Sequence, residues 1–251
     1  IEGLKSFPKN IVVKSQLTTS ITENGASLSI TLGVTSNIIL LDKTPMKPRF
    51  SDTRIGFFTE KHWYYTDTQQ AVLEKELITR WRLEPKKEDE ERYLKGELVQ
   101  PKKPIVYYID PSTPKQWRKY IIDGVHDWQA AFERAGFKNA IKVILPENST
   151  QQLMEEGTVL IAWGGVANKP AIETVEDPRT GEIKTAKMTL SDFVIDDLLQ
   201  KYFVQAGAND IRIQKDAYSP AVRSDILKFK VSQGMAQVLG MLPNYAGSAA
   251  Y

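Results

Sequence analysis

The sequence contains no cysteine and only two histidines, His62 and His126, among its 251 residues. The absence of cysteine excludes disulfides, thiol nucleophiles, iron–sulfur clusters and zinc sites built from thiolates. With two histidines, the chain cannot supply three imidazole ligands to one metal ion. Lys and Arg number 33 against 31 for Asp and Glu, a balance that argues against nucleic-acid binding through bulk charge.

Long apolar runs are also missing. No uninterrupted apolar run reaches the roughly 18 residues that a membrane-spanning helix needs, so we expect no membrane span. The chain begins at Ile1, without the basic and apolar regions of a signal peptide, and we expect the natural protein to be longer. A chain of this length buries about 70–75% of its unfolded surface and holds a core without a metal or a disulfide.

Residues 10–42 show the alternation of apolar and polar side chains that is typical of β-strands. Asn24-Gly25, between the two alternating runs, is a strong signal for a hairpin turn, because both residues tolerate positive φ. A third apolar run follows at 38–41. We therefore predict a small antiparallel β element at the front of the chain, which by itself implies no chemistry.

The segment 66–83 allows more than one interpretation. Residues 68–71 favour the start of a helix, whereas residues 77–83 alternate like a strand. Residues 86–92 are seven consecutive charged residues, which we interpret as a solvated loop. These features divide the chain into a β-rich part at 1–84, a charged connection at 85–103 and an α/β domain at 104–251.

The rest of the chain alternates between strand and helix patterns. A long helix is predicted from Pro114 to Ala135, because Thr113 and Gln116 form a capping box and an apolar stripe follows. Strands are predicted at 104–110, 140–145, 158–163 and 183–190, the last at a sheet edge, and further helices at 196–206 and 225–241. This order indicates a sheet with a helix packed on it.

Few residues outside the last helix suggest chemistry. Neither His62 nor His126 has a second histidine three or four residues away, as a metal site on a helix requires. The chain has no Gly-x-Ser-x-Gly motif and no glycine-rich phosphate loop. Asp196-Asp197 is typical of a helix start, where negative charge is favoured.

The last helix has an informative spacing. Gln233 and Gln237 are four residues apart and therefore lie on one helix face. Gly240 follows after three residues, and Pro243 after three more. This is the spacing of the zinc peptidase motif His-Glu-x-x-His-x-x-Gly-x-x-His, although every chemical position holds another residue.

Similarity to one family extends over nearly the whole chain and is most specific at 128–140. The chain resembles bacterial zinc-dependent metallopeptidases of the met-zincin type, in particular large secreted members with a domain of unknown function ahead of the peptidase domain. The segments that carry the resemblance are 6–10, 46–49, 52–58, 80–84, 104–110, 128–140, 177–183 and the last helix.

The resemblance implies an α+β, zincin-like fold. It consists of a mixed sheet with a long packed helix and a C-terminal helix of the active-site type, preceded by the small antiparallel β-rich part. In this resemblance the first two zinc-binding histidines fall on Gln233 and Gln237, the general-base glutamate on Gly234 and the third histidine on Pro243. Gly240 and Asn244 match the family pattern, and the chain stops at Tyr251, before any methionine turn.

These replacements remove the chemistry of the family. Zinc hydrolysis needs three protein ligands and an open position for water, whose pKa the metal lowers toward roughly 7. A glutamine amide is a weak neutral donor, proline has no ligand atom, and glycine cannot accept a proton. We therefore expect no zinc, no other cofactor and no catalytic residue, and we interpret the chain as a pseudo-peptidase.

A zincin cleft binds an extended peptide along an edge strand. If 185–192 forms that edge, Ala186, Met188 and Leu190 line the groove, and the expected partner is a peptide or a protein. Two other hypotheses remain open: an active hydrolase that uses carboxylates with His62 or His126, and a structural module of a larger surface protein. The resemblance also implies a secreted, periplasmic or cell-envelope location.

Overall fold

The computed structural model describes residues 1–23, 26–68, 70–146, 155–165 and 171–243. Within these residues the chain forms three β-sheets and six α-helices, and none of the helices is long and apolar enough to span a membrane. The strands are β1 (Gly3–Ser6), β2 (Asn10–Glu23), β3 (Ala26–Ile39), β4 (Thr59–Tyr64), β5 (Leu73–Ile78), β6 (Ile105–Ile109), β7 (Ile141–Ile144), β8 (Thr158–Trp163), β9 (Ala171–Asp177) and β10 (Glu182–Leu190). The helices are α1 (Glu90–Leu94), α2 (Lys115–His126), α3 (Gln129–Arg134), α4 (Asp192–Ala206), α5 (Ile211–Lys215) and α6 (Pro220–Val238).

Five strands form the central sheet, in the order β7-β6-β8-β10-β9. β9 runs antiparallel to β10, and the other neighbouring strands are parallel. Helices α2 and α6 pack against each other and against the sheet, where Tyr107, Ile161 and Met188 are fully buried in one core with Val231 and Met235 of α6. The fold is therefore mixed α+β, as the sequence predicted.

Strand β10 confirms the predicted strand at 183–190, but its predicted place at a sheet edge is wrong. It lies between β8 and β9, so that Ala186 pairs with Val159 on one side and with Thr174 on the other. The strand at this edge of the sheet is β9, and β7 lies at the opposite edge. The sequence analysis missed this strand because segment 171–177 contains three acidic residues and only a weak apolar pattern.

The single helix predicted from Pro114 to Ala135 is interrupted between α2 and α3. At the interruption, the backbone N–H of Trp128 donates to the carbonyl of Val125, three residues back, at 3.3 Å. The indole N–H of Trp128 donates to the carbonyl of Ser232 in α6 at 2.8 Å. This tertiary contact holds the indole against α6, and periodicity within the helix cannot reveal it.

The predicted starts of two helices are also wrong. Thr113 does not cap α2: its hydroxyl has no hydrogen-bond partner among the described residues, and Pro114 has extended backbone angles. The last helix begins at Pro220 instead of near Asp225, since proline suits the first helical position. Ser224 lies inside this helix, where its hydroxyl donates to the carbonyl of Pro220 at 2.8 Å.

Two further segments differ from the predictions. The helix predicted at 196–206 begins at Asp192, after Ser191, whose hydroxyl accepts a hydrogen bond from the backbone N–H of Val194. The charged run at 86–92, interpreted as a loop, contains a 3₁₀ turn and the start of α1. Ion pairs of Arg92 with acidic neighbours hold this short helix together at the surface.

The front of the chain forms two small antiparallel sheets. β2 and β3 pair along their full length, which confirms the predicted antiparallel element, while the predicted turn at 24–25 lies outside the described residues. The apolar run at 38–41 is not a third strand, because β3 continues to Ile39. In the ambiguous segment 66–83, β5 ends at Ile78 and pairs with β4, and the described residues of this segment form no helix.

Gly124 allows α2 and α6 to approach each other closely. A Cβ atom at this position would lie 2.7 Å from the carbonyl oxygen of Lys228 and 2.9 Å from Cβ of Val231. We predict that Gly124→Ala lowers the free energy of unfolding by about 1–2 kcal/mol, because overpacking outweighs the roughly 1 kcal/mol gained in helix propensity. Urea denaturation measures the change. The control is Gly33→Ala, where a Cβ meets nothing within 4 Å, and an equal loss there would contradict the prediction.

Candidate functional site

Gln233 and Gln237, which the resemblance aligns with two zinc-binding histidines, lie in the C-terminal half of α6. Gln233 is exposed, and its Oε1 accepts a hydrogen bond from the ammonium group of Lys230 at 2.7 Å. Gln237, one turn further on, is half-buried. Burial, followed by the nearby charge of Lys201, lowers the pKa of Lys230. The face therefore presents two neutral amides, one of which is engaged by a lysine.

Gly234 brings α6 into close contact with the sheet. A Cβ atom at this position would lie 2.8 Å from Cε of Met188 and 3.5 Å from Cδ1 of Ile172. Any side chain on residue 234 would therefore point at β10 and β9. The space next to Gly234, which the resemblance aligns with the general base, is already occupied by the apolar side chains of Met188 and Ile172.

The front part of the chain holds the end of α6. The backbone N–H of Phe58 donates to the carbonyl of Gly240 at 2.8 Å, and that of Leu242 donates to the carbonyl of Gly56 at 3.1 Å. Gly240 has a φ of +89°, and a Cβ there would lie 2.2 Å from the carbonyl oxygen of Thr79. Glycine is therefore required at this turn even without a metal. Pro243, which the resemblance aligns with the third zinc-binding histidine, is exposed.

Trp81 adds a second link between the front part and α6. Its indole N–H donates to the carbonyl of Val238, in the last turn of the helix, at 2.8 Å. The carbonyls in the last turn of a helix have no partner within that helix. Together with the indole of Trp128 at Ser232, this contact fixes both the middle and the end of α6.

The predicted groove residues lie in the core. Ala186, Met188 and Leu190 are all buried and face the helices, so they do not form an open groove. The exposed strand next to α6 is β9, whose other edge has no partner strand in the described part of the chain. Glu173 and Val175 on this strand are exposed.

The other candidate residues do not assemble into a site. The His62 ring nitrogen Nε2 contacts the carbonyl of Pro178, and His126 is exposed at the end of α2. Asp196 pairs with Arg223 at 3.0 Å. Asp196 and Asp197 also lie inside α4 and not at its start. The described residues therefore pair neither histidine with a carboxylate, and the active-hydrolase hypothesis gains no support from these groups.

A buried charge cluster, which the sequence analysis missed, connects the front part to the central sheet. The ammonium group of Lys184 lies 3.0 Å from Asp42, 3.3 Å from Glu156 and 2.9 Å from Glu182. Lys184 is 1% exposed, and Lys9 also bonds to Asp42. A signal in the sequence was the position of the charged residues 182 and 184, which are in phase with the apolar residues Ala186, Met188 and Leu190 of the predicted strand.

The same carboxylates set the electrostatics of this cluster. Burial lowers the pKa of Lys184, but hydrogen bonds with Glu182 and Asp42 outweigh it, so the net shift is upward. The hydrogen bond from Lys9 lowers the pKa of Asp42 most, burial raises it, and Lys184 lowers it further. The net result is a pKa well below the ordinary value of an aspartate. Oxygen atoms of the three carboxylates lie within 4.8 Å of one another, close enough to share a metal ion. Lys184 already supplies the cation at that point, so we assign the cluster a structural role.

The comparisons with known proteins gave one match. Residues 1–86 match a family model described as a domain of unknown function, DUF5117. No curated protein and no solved structure matches the chain. The match covers β1 to β5 and stops before the central sheet. The match agrees with a domain of unknown function at the front of the chain, and it does not extend to the central sheet or to α6.

We predict that Lys184→Met lowers the free energy of unfolding by about 3–5 kcal/mol, because three carboxylates then lose a buried partner. Denaturant unfolding at neutral pH measures the change. The matched control is Lys61→Met, which removes an exposed strand lysine paired with Glu74 at 2.6 Å. That loss should stay within about 1 kcal/mol, and comparable losses in the two variants would contradict the buried role of Lys184.

The lowered pKa of Asp42 predicts a dependence of stability on acid. A carboxyl group whose pKa is lower in the folded state stabilises the fold at neutral pH, and this contribution is lost as the pH falls below about 4. Asp42→Asn should therefore have a lower free energy of unfolding than the parent at neutral pH. As the pH falls below about 4, its free energy of unfolding should decrease less than that of the parent. Parallel pH profiles of unfolding free energy would rule out this assignment.

We predict that Gly234→Glu destabilises the protein, because the new side chain must displace the terminal methyl of Met188 in the core. The expected loss is about 1–3 kcal/mol, measured by urea denaturation. Gln233→His, at an exposed position of the same helix, is the control and should leave stability nearly unchanged. A stable Gly234→Glu variant would show that the space beside α6 is open.

Proposed function

We propose that this chain is a catalytically silent, zincin-like module that binds extended peptides along the open edge of β9. The observation that supports this most directly is the position of β9, an antiparallel edge strand beside α6 with no described partner on its outer side. An open edge presents unpaired N–H and C=O groups that can bind the backbone of another strand.

The donor set on α6 does not fit a zinc ion. Gln233 and Gln237 offer neutral amides, and Pro243 has no donor atom in its side chain. Gly234 supplies no base, and Met188 fills the adjacent space. Metal, nucleophilic water and base act as one unit, so partial recovery of ligands would not recover hydrolysis.

The scaffold needs none of these groups to remain folded. Val231, Met235 and Val238 bury the inner face of α6, while the indoles of Trp81 and Trp128 bind its backbone carbonyls. A cleft shaped by packing in this way can retain a peptide-binding edge after losing catalysis. The family resemblance further supports export to the periplasm, the cell envelope or the medium as the setting for this binding.

The strand itself suggests how a peptide would be held. Residues of β9 alternate between the α6 side, where Ile172 lies, and the opposite side, where Glu173 is only 4.0 Å from Lys187 on β10. A bound strand would place its own side chains alternately toward α6 and toward this charged side. Main-chain hydrogen bonds would provide affinity, and the two sides would provide selectivity.

The test is titration of the full chain with a library of short synthetic peptides, read by fluorescence anisotropy. We expect saturable binding that is insensitive to chelators, with neither peptide cleavage nor stoichiometric zinc. Absence of saturable binding would overturn the proposal, as would zinc-dependent cleavage. The first outcome would favour a purely structural module and the second an active peptidase.

Neighbouring proline substitutions locate the binding edge. Successive N–H groups of β9 point alternately to β10 and to the open side, so one of Glu173→Pro and Thr174→Pro removes an outward N–H and the other an inward one. The variant that retains the stability of the parent should bind peptide about tenfold more weakly or worse. Unchanged affinity in that variant would show that peptides bind elsewhere.

A further inference from the structure

A long two-stranded ribbon, formed by β2 and β3, exposes an apolar face. Odd-numbered residues of β2 lie on the same side as their direct partners in β3, for example Leu17 opposite Leu32. We define the ribbon face by its six large exposed side chains: Ile11, Leu17, Ile21, Leu28, Leu32 and Ile38. Each of these residues is between 41% and 62% exposed.

The opposite side of the ribbon is polar. Thr18 and Thr31, directly across from each other, lie there with their hydroxyls 3.0 Å apart. The ribbon is therefore amphipathic, with its apolar side toward solvent along most of its length. Apolar surface at this density is a mark of an interaction site.

The ribbon also lacks the features that keep exposed strands apart. No charged residue occurs between Glu23 and Asp42 in the sequence. β1 pairs only with residues 11–14 of β2, and the outer edge of β3 has no partner strand in the described ranges. An isolated two-stranded ribbon is marginally stable in water, and an uncharged edge invites association. Covering the apolar face would stabilise the ribbon.

We propose that the ribbon face is a dimer interface that binds the ribbon face of a second copy of this chain. The six side chains expose roughly 600 Å², the upper limit of the largest patch on a typical monomer. Two copies packed face to face would remove roughly 1,200 Å² from water, which reaches the range of stable specific interfaces.

Self-association suits the chemistry of this face. A two-fold axis places the same patch against itself, so the six apolar side chains of one copy meet those of the other. Glu23, the one charged residue that β2 and β3 place on this side, lies at the tip, so the axis keeps the Glu23 carboxylates of the two copies at opposite ends of the interface. The Leu17–Leu32 pair lies between the pairs at the base and the tip, Ile11–Ile38 and Ile21–Leu28. The axis would therefore pass near Leu32, and the base of one ribbon would lie over the tip of the other.

The oligomeric state of the full chain tests this proposal. We expect light scattering with size-exclusion chromatography to show a dimer at micromolar concentration, and Leu32→Glu to be monomeric because it places two carboxylates near the axis. Thr31→Glu, on the polar side, should remain dimeric. Mixing Leu32→Glu with Leu32→Lys should give a heterodimer, since the two charges then attract.

Three results would overturn the proposal. They are a monomeric parent chain, a Leu32→Glu variant that remains dimeric, and a Thr31→Glu variant that dissociates as readily as Leu32→Glu. A monomeric parent would assign the face to a different protein segment.

A second measurement covers the case in which Leu32→Glu fails to fold, as judged by circular dichroism. The chain has no cysteine, so a single substitution provides a unique cross-linking site. Leu32→Cys should form a covalent dimer with a short bis-maleimide, whereas Thr31→Cys should not. Equal cross-linking at the two positions, or none at either, would also overturn the proposal.

Discussion

The ammonium group of Lys184 is buried where the front β part meets the central sheet, and three carboxylates surround it. Asp42 comes from the front part, Glu156 from the turn just before β8, and Glu182 from the same strand as the lysine. Each group would be costly to bury alone, and Lys184 together with Lys9 offsets most of the negative charge of the three carboxylates. The junction therefore requires these segments to meet in one arrangement, which also fixes β10 beside β8.

Placement of α6 depends on that junction in turn. Phe58, just before β4, donates its backbone N–H to the carbonyl of Gly240, and the indole of Trp81, after β5, donates to the carbonyl of Val238 at the end of α6. Segments that are far apart in the sequence thus hold α6, the helix that has the spacing of the zinc peptidase motif. A helix held by packing and by backbone hydrogen bonds keeps its position without a bound metal ion.

The sites differ in how much the sequence could reveal. The spacing of Gln233, Gln237, Gly240 and Pro243 could be recognised in the sequence, because it depends only on positions three and four residues apart. The reason why Gly234 resists a side chain, contact with Met188 on a different element, has no counterpart in local spacing. The charge cluster escaped notice for the same reason, since Asp42 and Lys184 are separated by 142 residues.

From the sequence alone came the mixed α+β class, the β2–β3 ribbon, and the presence of β10 and α6. These depend on composition and on periodicity, which are local properties. Only the tertiary structure decided that β9 and not β10 is the edge strand, that the long helix is interrupted at Trp128, and that the predicted groove residues are buried. Strand order and burial are set by contacts between distant segments. A periodic pattern shows which face of a strand is apolar, but it does not show which strand or helix lies next to that strand.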